Sequence, residues 1–237
     1  MNCNYDKGRL CIVESRKGFD YIEFKQFVNG RQVRALQEEW AGKWNKDILT
    51  YAVIRGTEDI PGDRLERLAM SLALTTYGVE IPIKFKLVRA NENPDLRIEF
   101  KTPEEESMFA DRPTVLAFAY FPAQGTVSGK VVFNDAYHWS LNGIPIDNVQ
   151  TPQEGDTIRT YNLIHVLIHE LGHSLGLRHD TNNNTTDVMD PFYNGKILEL
   201  SDNDIIRIRK KYGVRVFKHW SRYLRLKNWL RIRKRRF

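Results

Sequence analysis

The chain has 237 residues, 41% of them hydrophobic and 11% aromatic, with a formal net charge of +6. That is enough for one real core with appendages. No run of about 18 apolar residues occurs, which excludes a membrane-spanning helix, and the first thirty residues have scattered charges and no apolar stretch of the kind that marks a signal peptide.

Residues 1–37 read as an N-terminal extension. Within it, YIEFKQFVNGRQVRAL has strand-like stretches around Asn29-Gly30, the pattern of a hairpin. Apolar alternation in DILTYAVI predicts a strand. DRLERLAMSLALTTYG predicts an amphipathic helix over 63–78, with Asp63 as N-cap and Gly78 as terminator. Further strands are expected near 82–89, 95–100, 114–121 and 130–134. A polar loop, NGIPIDNVQTPQEGDTIRT, then leads into YNLIHVLIHELGHSLGL, where Leu163, Val166, Leu167, Leu171 and Leu175 mark a core helix. A last helix is expected over 201–212, with Ser201 as N-cap. Strands first and helices on one side make an α+β domain.

The charge is uneven along the chain. Residues 215–237 hold ten Lys or Arg and no acid, which leaves 26 basic against 30 acidic residues before them. The body is therefore mildly acidic and the basic character belongs to the tail. In the tail, Phe217, Trp220, Tyr223 and Leu224 recur at helical spacing among Arg and Lys. Three readings stay open. The tail could be a solubilising end. It could be a basic amphipathic helix for an anionic membrane. It could hold nucleic acid, with Arg on phosphates and Trp220 or Trp229 stacking on bases.

The segment HELGHSLGLRH, residues 169–179, gathers three of the six histidines in eleven residues. Chance assembly of H-E-x-x-H-x-x-G-x-x-H in a chain of this length runs to about one in a hundred thousand. His169 and His173 are four apart, so they share one face of a helix and can point at one ion. Glu170 follows the first of them and can reach a water on that ion. Gly176 can end the helix in a left-handed conformation, which lets His179 return to the same ion. Three neutral nitrogens and one water make an open, catalytic type of zinc site. Ten residues beyond His179, Met189 precedes Asp190-Pro191 and fits a tight turn beneath the metal. His165, one turn before His169, reads either as a helix residue beside the site or as a pocket wall.

These residues resemble a metzincin, and within that clan a matrix metalloproteinase catalytic domain (matrixin, peptidase family M10). KWNKDILTYAV, DLRIEF, VLAFAYFP, GKVVFNDAYHW and LSDNDIIRIRKKYG resemble that family's segments in the right order. The resemblance implies a domain over 38–214 with a twisted, mostly parallel five-stranded sheet, an antiparallel edge strand, a zinc-binding active-site helix and a C-terminal helix. It implies a zinc-dependent endopeptidase that hydrolyses peptide bonds with a Glu-assisted zinc-bound water. His169, His173 and His179 would bind the zinc and Glu170 would be the general base. Met189 would form the floor under the metal. Pro191 and Tyr193 would form one wall of the pocket for the residue after the scissile bond, with His165 at its depth. Leu116 and Ala117 would offer edge-strand backbone groups to an extended protein or peptide substrate. The domain would act as a monomer. The family's usual compartment is extracellular, although the sequence alone leaves localisation open.

The departures from the family pattern carry their own expectations. The family's structural zinc takes an Asp and three His, but KTPEEESMFADRP has no His, Phe118 stands at a second ligand position and Val132 at a third. One catalytic zinc and no structural zinc are expected. In the neighbouring calcium segment Asn134 and Asp135 remain, while Ala136 and Tyr137 replace acids, which leaves calcium doubtful. Phe118, Tyr120 and Phe133 are candidates to pack in place of the missing ions. The only cysteines are Cys3 and Cys11, and GRLCIVE does not match the family's propeptide thiol motif. The rival from another class is a catalytically silent binding protein of the same fold, acting through its basic tail on membrane or nucleic acid.

Overall fold

The computed structural model describes residues 10–14, 27–28, 31–32, 42–60, 62–122, 124–142, 160–180, 187–193, 198–216 and 228–229. The polar loop before the histidine helix and most of the basic tail lie outside them. None of the helices among the described residues is long and apolar enough to cross a membrane.

Five strands build the sheet of the expected domain: β4 (Ile48–Arg55), β5 (Lys84–Leu87), β6 (Leu96–Lys101), β7 (Val115–Tyr120) and β8 (Lys130–Asn134). β5, β4, β6 and β8 run parallel, and β7 pairs antiparallel with β8. A sixth strand, β1 (Leu10–Glu14), comes from the N-terminal extension and pairs antiparallel with β7, giving the order β1-β7-β8-β6-β4-β5. The short strands β2 (Phe27–Val28) and β3 (Arg31–Gln32) pair antiparallel, with Phe27 opposite Gln32 and Val28 opposite Arg31. Two further strands, β9 (His138–Ser140) and β10 (Thr160–Asn162), form a separate parallel pair.

Helix α1 (Asp63–Gly78) and helix α3 (Leu163–Ser174) pack on each other, α1 against β4 and β5, and α3 against β7 and β8. The sheet's period of two decides which side chains meet them. Leu96, Ile98 and Phe100 of β6, with Val131 and Phe133 of β8, join the main core; Arg97, Glu99 and Lys101 alternate with them. Helix α4 (Asp202–Tyr212) closes the domain, and its Ile208 is fully buried in the same core. Ser201 caps α4 through a reciprocal arrangement with Asp204.

Helix α1 departs from its expected start. Its N-cap is Gly62, at φ 82°, with no side-chain cap bond, and Asp63 is already helical. The left-handed backbone that glycine tolerates makes the turn into the helix, so a capping carboxylate is not used. The helix does end on Gly78, but without a left-handed residue: Val79 follows in a right-handed conformation and bonds back to Thr75.

A second, smaller apolar cluster fills the opposite face of the sheet. The short helix α2 (Ser107–Asp111) delivers Phe109 against Phe118, with ring centroids 5.4 Å apart, and Val115 and Val132 complete the group. Tyr120 meets Phe118 edge-on at 5.8 Å. Phe133 points the other way and stacks on Phe100 at 4.9 Å. Of the three expected aromatics, Phe118 and Tyr120 therefore share one cluster and Phe133 belongs to the main core. Deleting a fully buried aromatic leaves a cavity. Phe118→Ala should cost about 3–5 kcal/mol of unfolding free energy, measured as a lowered urea midpoint at unchanged denaturant slope.

Candidate metal centre

Helix α3 is buried along its whole length. An apolar surface on all sides suits a helix surrounded by protein. Asn162 caps it, its side chain accepting from the His165 amide at 3.0 Å. The other end is closed by glycine. Gly176 has φ 91°, and Leu177 N–H turns back to the Gly172 carbonyl at 2.8 Å. A side chain at Gly176 would also press on the Gly42 carbonyl, with a Cβ only 2.4 Å away. The reversal brings His179 to the face that already carries His169 and His173.

The three imidazoles converge. His173 Nε2 lies 2.9 Å from His169 Nε2, and His169 Nε2 lies 3.1 Å from His179 Nε2. One ligand atom from each ring falls within 4.8 Å of the others, the only such cluster among the described residues. For His169 and His173 the tautomer follows from the far side of the ring. His169 Nδ1 meets the Val188 carbonyl at 2.7 Å and His173 Nδ1 meets the Leu177 carbonyl at 2.7 Å. A carbonyl oxygen only accepts, so each Nδ1 carries the proton and each Nε2 presents a lone pair.

The surroundings keep the rings neutral. Burial, then the neighbouring His179, holds His169 well below the usual histidine range; burial, then His169 and His179, does the same for His173. Burial together with the Arg207 and Arg178 cations pushes His179 down to about 3. Glu170, next along the helix, is fully buried.

The other expected residues gather around this centre to different degrees. Met189 is fully buried under the helix: a Cβ on Gly172 would sit 2.5 Å from its sulfur. His165 is buried and meets the Tyr193 ring edge-on, centroids 5.1 Å apart. The Tyr193 hydroxyl accepts from the Asn162 amide at 2.8 Å, which fixes that ring beside the start of α3. Pro191 is half-buried between Asp190 and Phe192. Leu116 and Ala117 lie buried in β7, the strand that packs on α3.

The matrixin family model matches residues 43–213. The chain belongs to the matrixin family. Similar proteins include stromelysin-1 of Equus caballus, 34% identical over 177 residues, and matrilysin of Homo sapiens, 33% identical over 178 residues. Matrix metalloproteinase-26 of Homo sapiens is 32% identical over 176 residues. These alignments take in 72%, 73% and 72% of this chain, but only 33%, 60% and 60% of the respective relatives, so the chain spans a third to three-fifths of their length.

Membership of the matrixins implies zinc, and the donor set fits it. The His169 and His173 lone pairs, facing each other at 2.9 Å, repel unless a cation lies between them, and His179 Nε2 stands 3.1 Å from the same His169 atom. Two imidazole nitrogens on one tetrahedral zinc would stand about 3.3–3.4 Å apart, close to the observed spacing.

Several residues of the matrixin centre were not legible from the motif. Val188 and Leu177 act through carbonyls, which every residue has. Val188 N–H in turn donates to Asp204 Oδ2 at 2.9 Å, so a carboxylate of α4 holds the peptide that fixes His169. Tyr77 of α1 donates to the Ile168 carbonyl at 2.7 Å and lies 4.0 Å from the Met189 sulfur. Phe121 packs edge-on against His173 at 5.7 Å. The Ser201-to-Asp204 spacing does signal a cap, but nothing in the sequence says that the same carboxylate reaches Val188.

The depressed histidines make the chelated domain acid-sensitive. In the unfolded chain these histidines titrate near 6.5, whereas the folded value of His179 is about 3. Between those values the unfolded state binds more protons, so stability falls as the pH drops from 6.5 towards 3. Urea unfolding in a chelator across this range should show that decline; a flat profile would contradict it.

Proposed function

We propose that this matrixin is a zinc-dependent endopeptidase, with residues 38–214 as the enzyme, 1–37 as an extension and 215–237 as a basic tail. The observation that carries the reading is the convergence of three Nε2 atoms, two of them on the helix that also carries the buried Glu170. His169, His173 and His179 would hold the metal. Zinc bound there supplies a Lewis acid for the scissile carbonyl and lowers the pKa of water. The Glu170 carboxylate accepts the proton of the attacking water and passes it to the leaving amine. No side-chain nucleophile and no acyl-enzyme are needed.

Substrate binding follows from the strand and the wall. An extended protein or peptide takes main-chain hydrogen bonds from β7 around Leu116 and Ala117. Its side chain after the scissile bond enters the pocket bounded by Pro191, Tyr193 and His165. The edge-on packing of His165 on Tyr193 supports a narrow pocket and hence a selective enzyme. The enzyme works as a monomer, and the name of one relative, matrix metalloproteinase-26, supports an extracellular setting.

One zinc per chain is part of the reading. Phe118 and Val132, at expected positions for a second zinc, sit in an apolar cluster. Asn134 spends its side chain internally: its amide donates to the Val115 carbonyl at 3.0 Å and its oxygen accepts from Ala136 N–H at 3.1 Å. That supports a protein that does not rely on calcium at this end. A second reading, a silent binding protein working through its tail, is favoured by the ten basic residues of 215–237.

Two measurements separate these readings. Glu170→Ala should keep its zinc and lower kcat on a fluorogenic peptide by at least about 100-fold; full activity in that variant would remove the general-base assignment. Elemental analysis of the purified chain should return a single zinc, and a count of two would refute the loss of the second site.

A further inference from the structure

We propose that Arg178 is a specificity-determining residue that receives an acidic side chain from the part of the substrate before the scissile bond. The inference deepens the endopeptidase reading and rests on it. Helix α3 sets the two sides of the site apart. At its start, the Asn162 amide donates to the Tyr193 hydroxyl, and His165 packs on the Tyr193 ring, which is the wall assigned to the residue after the cut. His173 lies further along the same helix, about 12 Å from His165 at the helical rise per residue. There the Phe121 ring packs edge-on against His173 at 5.7 Å, and the Arg178 guanidinium stands over Phe121, 5.9 Å from the ring centroid. The wall and Arg178 therefore flank the histidine centre from opposite ends of α3.

Main chain and side chain of Arg178 have separate duties. Its carbonyl accepts from Arg207 Nη2 at 2.7 Å, which ties this residue to α4. Its side chain is half-buried, and its Nε is buried with no hydrogen-bond partner. No carboxylate among the described residues pairs with it. Asp180, two residues on, is held instead by the Asn203 amide at 2.6 Å. A guanidinium that loses water without gaining a partner is costly by itself. Its planar donors match the two oxygens of a carboxylate, and a lysine ammonium does not offer that fit.

The field of this corner is positive. Burial, then the Arg207 and Arg178 cations, pushes the neighbouring His179 down to about 3, so both charges are felt at the metal ligands. An acidic group is drawn towards such a corner and a basic group is repelled from it. A peptide whose residue after the cut enters the wall of His165 and Tyr193 carries its preceding residues the other way, past Phe121 and Arg178. An extended chain rises about 3.3 Å per residue, so the last three residues before the cut span about 10 Å. Asp or Glu within that stretch meets Arg178.

The test uses the full chain, loaded with zinc, and fluorogenic peptides that differ only by Glu, Gln or Lys at one of the three positions before the cut. At one of these positions kcat/KM should favour Glu over Gln by about tenfold, with Lys the poorest. Arg178→Gln keeps a stem over Phe121 and loses the charge; its Glu-to-Gln ratio should fall to about one. Arg178→Glu should reverse the order and favour Lys. Equal cleavage of the Glu and Gln peptides at all three positions by the wild-type chain would overturn the inference and leave the endopeptidase reading standing. A Glu preference that survives in both variants would remove Arg178 as its source. If the zinc-loaded wild-type chain cleaves no peptide, the endopeptidase reading falls and the inference falls with it.

Discussion

Two hydrogen bonds on the far side of the histidines govern the site. Val188 and Leu177 offer carbonyl oxygens to the Nδ1 atoms of His169 and His173, and that fixes where each ring keeps its proton. With both protons directed outward, the Nε2 lone pairs have to face inward. Much of the surrounding architecture holds those two carbonyls in place. Asp204 of the last helix binds the Val188 amide. Gly176 allows the chain to reverse so that Leu177 lies under His173. Gly172 makes room for the Met189 sulfur directly behind the helix, where Tyr77 closes the packing. A bulkier residue at Gly172 would force the turn containing Val188 away from the helix, and the tautomer of His169 would lose its anchor.

The second face of the sheet is stabilised by a different economy. Helix α2 and β7 meet there through Phe109, Phe118 and Val132, a dry cluster in which burial and ring contacts supply the cohesion. Here the side chains are large and the backbone is fixed by their packing. At the end of β8, Asn134 ties itself to the β7 carbonyl of Val115 and to its own turn. Ion pairs such as Lys130–Glu99 finish the rim of this face.

An open sheet edge is both an asset and a liability. A protease that binds substrates by strand pairing needs unpaired backbone groups, and such groups also invite association with other chains. Pairing of β1 with β7 covers that edge within the same molecule, and β5 at the opposite edge presents exposed Lys84 and Lys86-rich sequence that discourages pairing. The fold thus treats its two edges differently: charge at one, a strand from the extension at the other.

The spacing of His169, His173, Gly176 and His179 determined the centre, because helix pitch and a glycine stop are local rules that act over a few residues. The alternation in β6 and β8 and the apolar run of α3 likewise encoded which faces enter the core. Local rules also misled once, at Asp63, where a glycine conformation rather than a carboxylate begins the helix. Tertiary structure alone decided the rest. The carbonyls that hold the imidazoles, the reach of Asp204 from α4 to Val188, the split of Phe118 and Phe133 between two clusters, and the partner of β7's outer edge all join residues distant in sequence. Such contacts depend on how the elements dock, and backbone donors and acceptors, being common to every residue type, leave no mark in the sequence.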